Sequence, residues 1–73
     1  MPADATPTGT EWIAAFAAQL GVDPPDEATV TTLLELAGVA AHSSERTAAP
    51  IACWLAGRTG TSPTDALATA QSL

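Results

Sequence analysis

The chain has 73 residues, a net charge of -6 and only two cations, Arg46 and Arg58. Such a surface repels phosphate backbones and anionic headgroups, which argues against nucleic acid or membrane as a partner and against capture of a nucleotide by the chain alone. The alanine-rich, lysine-free composition favours helices, and a single cysteine, Cys53, rules out an internal disulfide.

Residues 1–8 are small, polar and proline-containing, so they read as a flexible N-terminal tail ahead of a single helical domain over 9–73. They carry neither the basic start nor the apolar stretch of a leader, and no apolar run approaches the roughly 18 residues of a membrane span, so the expected compartment is the cytoplasm. Thr8 with Glu11 three positions later forms a capping-box pattern. It opens a helix in which Trp12, Ile13, Phe16, Ala17 and Leu20 share one face and Gly21 supplies the stop.

The sequence Asp23-Pro24-Pro25-Asp26 then makes a stiff turn, because each proline forces its predecessor out of helical geometry. A second helix starts between Asp26 and Thr29 and runs to His42, with Val30, Leu33, Leu34, Ala37, Ala40 and Ala41 as its apolar stripe. Ser43 and Ser44 break that pattern. Thr47 is placed to cap a third helix, Pro50 falls in its tolerant first turn, Ile51, Trp54 and Leu55 face inward, and Gly60 ends it. Ser62-Pro63-Thr64-Asp65 opens a fourth helix that directs Ala66, Leu67, Ala70 and Leu73 inward. The expected architecture is all-α: a compact bundle of four short helices, with both tryptophans and Cys53 in its core.

The densest polar chemistry is His42 to Arg46, where a potential acid-base group, a carboxylate and a planar cation occupy one connection. The plainest use of these residues is at the helix junction. His42 and Arg46 suit the negative end of the second helix, and Glu45 suits the positive end of the third. A recognition surface made by His42, Glu45, Arg46 and Arg58 is the functional use, with Arg58 one helical turn beyond Trp54. One His, one Glu and one apolar-face Cys leave a metal shell short of ligands, so no metal or cofactor is expected. Gly57-Arg58-Thr59-Gly60 lacks the lysine and preceding strand of a phosphate loop, and Ser43-Ser44-Glu45 does not resemble an acyl carrier's Asp-Ser-Leu attachment motif. No catalytic set is complete, and the chain reads as a module other than an enzyme.

The segments Trp12 to Leu20, Gly21-Val22-Asp23-Pro24-Pro25, Leu33-Leu34-Glu35-Leu36-Ala37, Ala41-His42-Ser43-Ser44-Glu45-Arg46 and Ala48-Ala49-Pro50-Ile51 resemble a family of small uncharacterised bacterial domains. Members stand beside, or fused to, the molybdenum cofactor guanylyltransferase, and near maturation functions such as the formate dehydrogenase accessory sulfurtransferase. In the family pattern His42, Glu45, Arg46 and Pro50 occupy the His-x-x-Glu-Arg and Ala-Ala-Pro positions, while Thr47 replaces the proline that follows the arginine there. The resemblance implies a non-catalytic accessory module in molybdenum cofactor biosynthesis or molybdoenzyme maturation, with that guanylyltransferase or a maturation protein as its partner. Two other readings stand beside it. One is a small ligand-binding or enzymatic domain using His42, Glu45 and Arg46 around a pocket, and the other is a structural adaptor unrelated to molybdenum.

Overall fold

A computed structural model describes residues 6–73. The expected tail at 1–8 lies outside the described residues up to position 5. Four helices follow in chain order, α1 (Gly9–Leu20), α2 (Glu27–Ser43), α3 (Ala48–Thr59) and α4 (Pro63–Gln71), with no strand among the described residues. The expected all-α class and four-helix count are both present.

Local chemistry explains most of the boundaries. The Thr8 hydroxyl accepts the Glu11 amide at 3.1 Å and the Glu11 carboxylate accepts the Thr8 amide at 2.8 Å, which satisfies two of the donors a helix start leaves free. Gly21, at φ 80°, takes the left-handed conformation that glycine reaches without strain, and the next amide, Val22 N-H, donates back to the Ala17 carbonyl at 3.0 Å. Gly60, at φ 71°, ends α3 in the same way, with Thr61 N-H donating to the Ala56 carbonyl. Asp26 caps α2 through the Thr29 amide at 2.8 Å, so that helix begins at the earlier of its two expected starts. Ser62 caps α4 through the Asp65 amide, with Pro63 at the first helical position.

The start of α3 differs from expectation. Thr47 precedes the helix but its side chain makes no capping bond, because its backbone is already helical (φ -67°, ψ -16°), whereas a capping residue needs extended geometry to turn its oxygen toward the first amides. The chain instead enters α3 through a turn in which Ala48 N-H donates to the Glu45 carbonyl and Ala49 N-H to the Arg46 carbonyl.

The centre of the molecule is α2. It packs closely against α3 and against α4, while α1 has no interface of comparable extent. At the α2–α3 seam the Cys53 thiol, expected in the core, is half-buried and points at the Leu33 carbonyl, 3.9 Å away. Among the described residues Leu36, 3% exposed, is the one large apolar residue that is buried, joined in the core by Ala17 and Ala66. The molecule is correspondingly long, 48 by 25 by 18 Å.

That thin core corrects the sequence reading of the tryptophans. Trp12 is 55% exposed and Trp54 61% exposed, and Ile51, Leu55 and Leu73, also expected inside, lie on the surface. Helical periodicity identifies which residues share a face, but it does not say whether another element arrives to cover that face.

Candidate functional site

The α2–α3 connection holds the polar cluster singled out above. His42 stands in the last turn of α2, Ser43 ends it, and Glu45, Arg46 and Thr47 form the turn into α3; all of them except Thr47 belong to the cluster, and all are exposed. The helix-end carbonyl at Ala40 is taken by the Ser44 hydroxyl at 2.7 Å. Among the described residues the side chains of His42, Glu45 and Arg46 enter no hydrogen bond, so the arginine is not the group that satisfies the end of α2. A serine two positions earlier reaches the same helix end with a much shorter side chain, at a smaller cost in ordering. The guanidinium therefore faces solvent.

Beside this connection lies an open groove of about 920 Å³. Because α3 and α4 both lean on α2 without packing closely on one another, α2 forms a floor at Val39 and Ala40, α3 a wall at Ile51 and Leu55, and Leu73 borders the opposite side. Glu45 is its one charged lining residue, with Ser43, Ser44 and Thr47 near the α2–α3 connection. A smaller depression of about 330 Å³ extends it past Leu36 and Ala66, sharing Leu55 and Leu73.

The four residues expected to form a recognition surface are thus divided. Glu45 lines the groove, His42 and Arg46 flank the same connection outside its lining, and Arg58 lies at the far end of α3. Trp54, one turn before Arg58, is also outside the groove lining, on another side of α3. Among the described residues no three potential metal ligands come together. No described helix is long and apolar enough to cross a membrane.

One titration is perturbed by this scaffold. The Thr29 hydroxyl and then the Thr29 amide hold the Asp26 carboxyl below its ordinary value, since both interactions favour the charged form at the start of α2. It serves the helix, and it is remote in the chain from the groove.

Two functional features were missed at the sequence level: the groove itself and the exposed face of α1. On that face the Trp12 and Phe16 rings stack with centroids 5.1 Å apart and planes at 26°, while Ile13 and Leu20 are also exposed. The available signal was the size of the fourth helix. With Leu67 as its one large apolar residue, and Leu73 just beyond its end, α4 has too little side-chain volume to cover the stripes of both α1 and α3.

Among known proteins, a family model described as a domain of unknown function, DUF6457, matches residues 4–73. No curated protein and no solved structure matches the chain.

Proposed function

Since the chain belongs to the DUF6457 family, a family defined without a function, we propose that it is a non-catalytic interaction module serving molybdenum cofactor biosynthesis or molybdoenzyme maturation. The interaction half of this reading is carried by one observation. Among the described residues ten large apolar side chains, Trp12, Phe16 and Trp54 among them, stand exposed. Extensive exposed apolar surface on a small domain marks a site of association. The molybdenum half rests on the resemblance at Ala41 to Arg46 and Ala48 to Ile51, which implies the guanylyltransferase or a maturation protein as partner.

On this reading Trp54 and Arg58 form the anchor on α3, tryptophan and arginine being the residue types that most often dominate interfaces. Arg46 and Glu45 supply polar contacts at the α2–α3 connection, and His42 a further one. The test is affinity capture from a native bacterial lysate that contains molybdoenzymes, with the intact chain and with Arg46→Ala as baits. Recovery of a molybdenum cofactor protein, reduced about tenfold by the substitution while helicity stays intact, is the expected result. Reproducible recovery of a partner outside molybdenum metabolism would overturn the pathway and leave the adaptor reading.

The ligand-binding reading has a narrower footing, the placement of Ser43, Ser44 and Glu45 together on the groove. It requires a small molecule whose binding is lost in Glu45→Ala and kept in Trp54→Ala.

A further inference from the structure

Two apolar surfaces of the same chain lack partners, and they match in kind. One is a helix face, Trp12, Ile13, Phe16 and Leu20 on α1. The other is a groove between α3 and α4 whose floor is α2 and whose lining includes Ile51, Leu55 and Leu73. A three-helix body with an open groove between two of its helices lacks the fourth helix of a bundle. We propose that α1 fills that position in a second copy of the chain, giving a two-fold dimer in which each copy inserts α1 into the other's groove.

The surface of the isolated chain is of the size this exchange requires. It exposes 5690 Å², whereas a compact monomer of 7.3 kDa exposes about 4200 Å². The excess is larger than the ~800 Å² that each partner contributes to a standard stable interface. The radius of gyration agrees in direction, at 13.9 Å against about 11 Å for a compact domain of this length.

The connector favours a second copy over the chain's own α1. Gly21 and the Val22 to Ala17 hydrogen bond fix the direction in which the chain leaves α1, and Pro24 and Pro25 stiffen the stretch up to the Asp26 cap. A helix held off its own body by a stiff connector satisfies its apolar face through exchange, and the symmetry of a two-fold dimer then fills both grooves at once. Charge is compatible, because the α1 face is neutral and the groove lining carries one charge, Glu45. The remaining charges give each copy a net -6, so the two copies repel at long range. Self-association therefore tightens with added salt, whereas association with a basic partner weakens.

The proposal is independent of the molybdenum reading, and it leaves Trp54, Arg58 and Arg46 outside the exchanged surfaces. Its test is sedimentation of the full chain over a dilution series at low and high salt, with Phe16→Glu and Ile51→Glu as variants. Both substitutions fall on exposed helical positions, and circular dichroism verifies that each variant keeps its helices. The wild-type chain sediments at twice its 7.3 kDa mass, and each variant alone dissociates at concentrations at least about thirtyfold higher, the effect of losing a central anchor on each side. Mixing the two variants restores one of the two exchanges, since the intact α1 of one meets the intact groove of the other, and the mixture dimerises at a lower concentration than either variant alone. A wild-type chain that stays monomeric at every concentration overturns the proposal. So does an Ile51→Glu chain that still dimerises by itself, because the copies then meet through α1 alone; an apolar small molecule in the groove would leave the wild type monomeric as well. Lysate capture through Arg46 can fail while this exchange stands, and the reverse also holds.

Discussion

Single side chains set where the helices begin and end, and their loss has sizes that follow from what each one bonds. Ser62 holds the Asp65 amide at the start of α4, which packs on α2. Ser62→Ala therefore lowers stability by about 1 kcal/mol, or roughly 4 to 8 °C in Tm for a domain of this size, measured by thermal circular dichroism. Gly60→Ala has a comparable cost, about 1 to 2 kcal/mol, because alanine must adopt φ 71°. Asp26 adds a pH dependence of definite sign. Its carboxyl titrates lower in the folded chain than in the unfolded one, so its contribution is complete above the unfolded value and is lost as pH falls through the folded value. Asp26→Asn keeps an oxygen for the Thr29 amide but removes the titration. Acid melts of the two proteins therefore diverge at neutral pH and converge as the wild-type carboxyl is protonated.

At the level of elements, α1 behaves differently from the other three helices. Thr8→Ala breaks the capping box and lowers the helix content of α1, yet at high dilution hardly changes the melting of the single chain, to whose body α1 contributes little packing. The connector carries a sharper prediction. Replacing both Pro24 and Pro25 with glycine releases the stiff turn, lets α1 fold back over its own groove and shifts sedimentation toward monomer without loss of helicity. Four helices, the side-chain caps at Thr8 and Ser62 and two glycine stops were legible in the sequence, since each depends on residues within a few positions of one another. Thr47 was misread because its role depends on a backbone conformation set by the preceding turn. Trp12, Ile51 and Trp54 were misread as core because burial depends on what other elements leave uncovered. Of the recognition residues, the connection His42 to Arg46 could be located from sequence, but its division between groove and open surface could not, as that follows from α3 and α4 leaning on α2 without closing on each other.

The whole molecule is a small body with more apolar surface than it can bury alone, so its stability is tied to its company. A monomer in which Leu36 is the one buried large apolar side chain among the described residues has little reserve, and anything that binds the folded form raises its melting temperature by mass action. The exchange of α1 makes Tm rise with protein concentration, and scanning calorimetry over a dilution series reads that slope directly. A flat profile would place the stability within α2, α3 and α4.

The seam at Cys53 gives this molecule an internal clock. Its thiol lies half-buried against the Leu33 carbonyl, between the two helices that form the floor and one wall of the groove, and away from the exchanged helix. A thiol reagent reaches it more readily when α2 and α3 part, so the rate of labelling rises with how often that pair breathes. If filling the groove braces the pair, labelling slows as the chain is concentrated, and the one cysteine reports the opening without a site having to be engineered.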